Sequence, residues 1–222
     1  MPTPPPTRTA PGRVKSSRVP RATADKPETK GERTRAALIE ASYHLFLCRG
    51  YHGTSMRDIA DEAGLALGGI YNHFATKEDI YVAMLLAHHP FREVLPALQA
   101  ARGETIEDLV RDAAQRMIAA LNDSPDFLNL IFIELVEFEG KHVPQMFQIF
   151  FPPLMEFVQR FQHARGQLQP IPLPVVLRTF IGLFFSYVIT GQLLGKQLPA
   201  SARAGAFDHF VDIYLHGILA KD

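Results

Sequence analysis

Residues Thr54–Phe74 read Thr-Ser-Met-Arg-Asp-Ile-Ala-Asp-Glu-Ala-Gly-Leu-Ala-Leu-Gly-Gly-Ile-Tyr-Asn-His-Phe, and this stretch decides the fold. Ser55 followed three residues on by Asp58 has the pattern of a capping box, so a short helix is expected over Ser55–Ala63. Gly64 then makes a turn, and another short helix is expected over Leu67–Phe74. Ile59, Ala60, Ala63, Leu65 and Ile70 can meet in a miniature core, the small Ala60 and Ala63 letting two helices cross closely. Two short helices joined through a glycine form a helix-turn-helix.

Outward from this stretch the periodicity stays helical. Toward the N-terminus, Leu38, Ala41, Ser42, Leu45 and Phe46 share one face of a helix over Lys30–Arg49, which Gly50 closes. Toward the C-terminus, Thr76-x-x-Asp79 opens a helix reaching about Arg102, bent near Pro90 and Pro96. Thr105 caps the next, to Asn122, and Ser124-Pro125 reads as an N-cap with proline at the first helical position, opening a helix to Glu139. Val143–Gly166 is expected to be helical but interrupted at Pro152-Pro153. Beyond the Pro170–Pro174 breaker come Val175–Leu194 and Ser201–Ala220. No alternating run makes a convincing strand. The expected fold class is all-α: an N-terminal three-helix helix-turn-helix head joined to a C-terminal helical domain.

The 222 residues are 47% hydrophobic and carry no net charge, but the charge is unevenly spread. Residues 1–29 hold six Lys and Arg against two acids and are dense in Pro and Thr, so they read as a disordered basic arm. Residues 30–76 are expected to form the head and 77–222 the helical body. One cysteine, Cys48, excludes a disulfide framework and fits a reduced cytoplasm. The start lacks the apolar core of a secretory signal. The longest apolar run, Thr179–Thr190, is too short to span a bilayer, which needs about 20 residues.

The order Leu45-Phe46, Arg49-Gly50-Tyr51, Thr54-Ser55, Ile59-Ala60, Ala63-Gly64, Gly68, Ile70-Tyr71, His73-Phe74, Lys77-Glu78 resembles the TetR-family signature over residues 33–81. The resemblance implies a ligand-responsive transcriptional repressor that binds double-stranded operator DNA as a homodimer. It implies that Ser55 and Arg57 touch phosphates or a base edge. It also puts Leu67, Gly68, Gly69, Tyr71, Asn72 and His73 at the groove surface and Lys77 on a phosphate. Amides and hydroxyls at a helix start bind anions, and Tyr, His and Lys are ordinary phosphate partners. Tyr71 and His73 are alternatively packing residues. Ala66 stands where the family commonly has a capping Ser or Thr, which forfeits on the order of 1 kcal/mol. Gly68 and Gly69 each weaken the helix by about 1 kcal/mol relative to Ala. Such a helix reads DNA by fit as much as by side-chain contacts.

In the body, the last helix repeats Phe207, Phe210, Val211, Tyr214, Leu215 and Ile218 at helical spacing, and the helix before it is apolar nearly all round. The resemblance implies that these two helices pair with a partner's, so Phe184, Tyr187, Phe207, Phe210, Tyr214 and Ile218 are the expected dimer interface. The middle helices are rich in Phe and Met, which usually means core. The resemblance adds a cavity for a small, largely apolar effector, with Met117, Phe127, Ile131, Glu134, Phe138, Phe147, Phe150 and Phe151 as its candidate lining. Glu134 shares a stripe with Phe127, Leu130, Ile131 and Phe138 and so points inward, where it needs a partner, either an arginine such as Arg178 or the effector itself. The histidines have no metal-ligand spacing, and no catalytic constellation, metal site or cofactor motif is found. An enzyme or a helical adaptor using the aromatic cavity are the alternatives.

Overall fold

The computed structural model describes residues 29–220, so the basic-arm reading lies outside it apart from Thr29. The described residues form α1 (Lys30–Arg49), α2 (Met56–Glu62), α3 (Leu67–Ile70), α4 (Lys77–His88), α5 (Phe91–Gln99) and α6 (Ile106–Asn122). They continue as α7 (Phe127–Glu137), α8 (Val143–Gln159), α9 (Leu173–Leu194), α10 (Ala200–Arg203) and α11 (Ala206–Ile218), with a single 3₁₀ turn at Arg160–Gln162. The fold is all-α: among the described residues there are only two isolated β-bridges and no strand.

Side-chain caps start four of these helices. Thr29, Ser55, Thr76 and Thr105 each accept from the backbone N–H three residues on, which satisfies an otherwise unpaired donor. Gly64 sits at φ 68°, a left-handed conformation that a side chain would strain, and this turn sets α3 across α2.

Two apolar clusters organise the chain. One gathers Leu38, Phe46, Ile59, Ile70, Ile80 and Met84 from α1–α4, together with Leu130 and Ile133 of α7. The other is built on α5, α6, α8, α9 and α11 around Val110, Phe157, Phe180, Phe184 and Val211. Phe127, at the start of α7, belongs to this second cluster. One helix of eleven residues therefore contributes to both cores.

Several boundaries differ from the sequence-based expectations. The long helix after Thr76 is two helices, because a residue before proline is pushed out of the α region and His89 accordingly takes φ −65°, ψ 131° before Pro90. The Pro152-Pro153 break does not occur, and α8 runs through both prolines. Each proline lacks the N–H that would reach the carbonyl four residues back, but those carbonyls belong to exposed Gln148 and Ile149, where water can serve them. Ser124 does not cap α7. Its hydroxyl donates to Ala120 O at 3.2 Å, and Asp126 stands at the N-cap without a side-chain bond there. The last helix is divided at Gly205, which is left-handed, and α3 has four residues followed by a turn through His73. The apolar run around Thr179–Thr190 continues as the 22-residue α9, long and apolar enough in composition to cross a membrane, yet packed here against α6, α8 and α11.

Candidate functional site

Apart from Lys77, the expected contact residues of the head lie on α2, α3 and the residues that flank them. Ser55, Arg57, Gly68 and Asn72 are exposed, and Leu67 and Tyr71 keep 42% and 53% of their surface open. Gly69 and His73 are half-buried. Nothing lies within 4 Å of a Cβ built on Gly68 or Gly69, so the bare backbone of α3 faces open space. Ala66 provides no side-chain cap. Arg57 makes only a loose 3.8 Å pair with Asp61, and both groups are well exposed, so the guanidinium stays available to an anion. Beneath this surface Ile59, Ala60 and Ile70 are fully buried, and the Arg35 guanidinium lies 4.9 Å from the centre of the Phe74 ring.

Lys77 is placed differently from its expected phosphate position. Its Nζ donates to Tyr51 O and Thr54 O, each at 2.7 Å, and stands 4.0 Å from the centre of the Tyr51 ring. Burial holds its pKa below the ordinary lysine value. The ammonium is thus a strut under the loop that delivers α2. The same loop is gripped from the other side. The amides of Tyr51 and His52 donate to Glu137 Oε1 at 3.0 Å and Oε2 at 2.8 Å, across more than eighty residues of sequence.

Glu134 neither pairs with Arg178 nor lines the cavity. It is 4% exposed and accepts from the Tyr81 hydroxyl at 3.1 Å and the His142 amide at 2.7 Å, with its Oε2 3.0 Å from His142 Nδ1. The correction comes from the turn after α7: Glu139 (φ 53°) and Gly140 (φ 78°) fold the chain back, which brings His142 under Glu134. The far side of the imidazole, Nε2, lies 3.3 Å from Glu78 of α4, which also pairs with Lys141. Tyr81 has its pKa raised, first by burial and then by the Glu134 charge. Phe138 is likewise withdrawn from the cavity: it stacks on Tyr81 at 4.3 Å and packs on Tyr51 at 4.5 Å, sealing the same junction. Sequence reading missed Glu137, His142, Glu78 and Tyr81. The available signal was two glutamates three apart on a helix otherwise apolar except for Asn129.

In the body, the His89-Pro90 link and α5 to α9 line a cavity of about 700 Å³, within the range that holds a drug-sized molecule. Met117, Phe127, Ile131, Phe147, Phe150 and Phe151 line it, so six of the eight candidate residues come together. His89 is an unforeseen wall residue. Its Nδ1 accepts the Phe91 amide at 3.2 Å and its ring stacks on Phe150. Burial depresses its pKa from 6.5 to about 4, so the imidazole is neutral at pH 7. Between these values the unfolded chain takes up a proton that the folded one does not. Stability is therefore full above pH 6.5 and falls as the pH drops toward 4, by about 2 kcal/mol between pH 7 and 5. Urea melts at the two pH values should show that His89→Gln narrows the pH-dependent difference by about that amount, and an unchanged difference would refute the assignment.

The expected dimer residues divide. Phe184, Tyr214 and Ile218 are 0%, 4% and 4% exposed within one chain, and the Tyr214 hydroxyl donates to Val176 O at 2.8 Å. Tyr187, Phe207 and Phe210 are half-buried and pack on one another. Phe184, Tyr214 and Ile218 therefore belong to the core of their own chain, which corrects their reading as partner-facing, while Tyr187, Phe207 and Phe210 pack on that core with part of their surface open. The uncovered surface of the two helices bears Ser186, Gly191, Leu193, Ile213 and Gly217, with Ile213 63% exposed.

Residues 38–84 match the family model described as "Bacterial regulatory proteins, tetR family". The chain is 23% identical over 198 residues to the HTH-type transcriptional regulator YdgC of Bacillus subtilis (strain 168), covering 87% of this chain and 97% of that one. It is 28% identical over 196 residues to the HTH-type transcriptional repressor BepR of Brucella suis, covering 85% of each. Among solved structures, a TetR-family transcriptional regulator from Mesorhizobium loti superposes with a TM-score of 0.62 at 23% identity, over 87% of this chain and 100% of that one.

Proposed function

This chain belongs to the tetR family of bacterial regulatory proteins, and on that premise we propose that it is a ligand-responsive repressor acting as a homodimer on operator DNA. The observation that carries the reading is that α7 touches both halves of the molecule. Its Phe127 and Ile131 line the cavity, and within two turns its Glu134 and Glu137 hold α4 and the loop into α2. A small apolar molecule that fills the cavity displaces α7 or the start of α8, where Val143 and Met146 line it beside His142. The carboxylates then pull on Tyr81, Tyr51 and His52, and the head turns relative to the body. In a dimer that turn changes the spacing of the two α3 surfaces, which must meet half-sites about one helical turn apart.

In this reading residues 30–76 carry the DNA contact, with Ser55, Arg57, Leu67, Gly68, Gly69, Tyr71, Asn72 and His73 at the interface, and residues 77–222 carry the cavity and the partner contact. The open surface of α9 and α11 is the dimer face. A Cβ at Gly191 or Gly217 would meet nothing within 4 Å inside one chain, which leaves room for a partner helix to approach closely. The site of action is the cytoplasm.

Selection of bound duplexes from random DNA tests this. The expected product is a two-fold symmetric site occupied by two chains, with steeply salt-dependent affinity. Repeating the binding with a panel of apolar small molecules should release the duplex. A chain that binds duplex DNA without salt dependence, or as a single copy per site, would overturn the reading.

A further inference from the structure

The cavity lining is lopsided in charge. Among its twenty residues there is no aspartate or glutamate. His89, the one buried ionisable group, is held neutral by burial. Arg178 alone brings a charge. It is exposed, and among the described residues it makes no salt bridge. A side chain that lines a cavity while remaining open to solvent stands at the opening. Four other lining residues are exposed in the same way: Val143 and Phe147 on α8, and Pro174 and Gly182 on α9. The opening therefore lies between α8 and α9, with an apolar lip on the α8 side. On the α9 side it has a guanidinium, with a side-chain-free position one turn further along the helix. Inside, the walls are aromatic and aliphatic.

We propose that this opening selects an amphiphile with one anionic head group, its apolar body in the cavity and its head on Arg178. The inference rests on the reading of the cavity as a ligand site and adds the charge of the ligand. An arginine offers a planar fork of N–H donors to a carboxylate or a phosphate, and such charge-assisted bonds are the stronger ones. A cationic amphiphile meets no acid in the lining and is repelled at the opening. A neutral one of the same length gains only the burial of its chain.

The test is calorimetric titration of the full chain with four ten-carbon ligands at concentrations below micelle formation: decanoate, decyl phosphate, 1-decanol and decyltrimethylammonium. Decanoate or decyl phosphate should bind at least about tenfold more tightly than decanol, and the cation most weakly. Whichever anion binds better identifies the head group. Arg178→Gln, whose exposed position should leave the thermal melt unchanged, should weaken the anions about tenfold and leave decanol unaltered. If decanol or the cation binds as tightly as the anions, or if Arg178→Gln leaves anion affinity unchanged, the cavity reading survives and the charge assignment falls. If none of the four binds, the cavity reading falls and the assignment with it.

Discussion

Glu134→Ala is expected to lower the stability of the folded chain by about 3 kcal/mol. The carboxylate lies in a site closed on every side, where it serves the Tyr81 hydroxyl and both the amide and the ring of His142. Alanine leaves these groups buried without an acceptor, and each orphaned group costs about 1–3 kcal/mol. The neighbouring Glu78 cannot replace it, because it already approaches the opposite nitrogen of the imidazole and pairs with Lys141. Glu134→Gln keeps the volume and an acceptor oxygen, so its loss should be smaller, on the order of 1 kcal/mol. Equilibrium urea denaturation of the three proteins measures this directly. A change below about 1 kcal/mol for the alanine variant would mean that the network is not a structural joint.

Lys77→Met should abolish the strut beneath α2. Two bonds from a charged donor to backbone carbonyls and a cation–π contact disappear together, for an expected loss of about 2–3 kcal/mol. The freed carbonyls of Tyr51 and Thr54 loosen the loop that sets α2, so duplex affinity should fall by at least about tenfold. The salt dependence separates this account from the phosphate role that the family resemblance implies. A lysine on a phosphate contributes about one to the slope of log affinity against log salt. The strut predicts an unchanged slope with a lowered melting temperature. A slope smaller by one, with melting unaltered, would return Lys77 to the DNA.

Most of the helical skeleton was legible in the residues because its determinants are local. Ser55, Thr76 and Thr105 cap the helices they precede, and Gly64 turns the chain where only glycine sits without strain, whereas the cap at Thr29 went unread because that residue was assigned to the basic arm. The buried Ile59, Ala60 and Ile70 were legible from the apolar pattern, whereas the exposure of Leu67 and Tyr71 beside Gly68 was implied by the family resemblance. The prolines were harder. Pro90 ended a helix, with His89 before it in an extended conformation, and Pro152-Pro153 did not, where the carbonyls left without a donor belong to exposed residues.

The helix-turn-helix at Thr54–Phe74 and the all-helical body were therefore legible in the sequence itself, through capping, turn chemistry and apolar period, whereas the cavity was implied only by the family resemblance. Tertiary structure alone decided where the charged groups went. Glu134 points inward as its stripe required, but its partners are fifty-three and eight residues away, and Glu137 reaches amides eighty-five and eighty-six residues back. The Phe207–Ile218 stripe was read correctly as apolar, yet its burial inside its own chain follows from the way α11 lies on α9. A helical pattern states which face is buried. The choice of what covers it belongs to contacts between residues far apart in the chain, whose partners are specified only once the helices have packed.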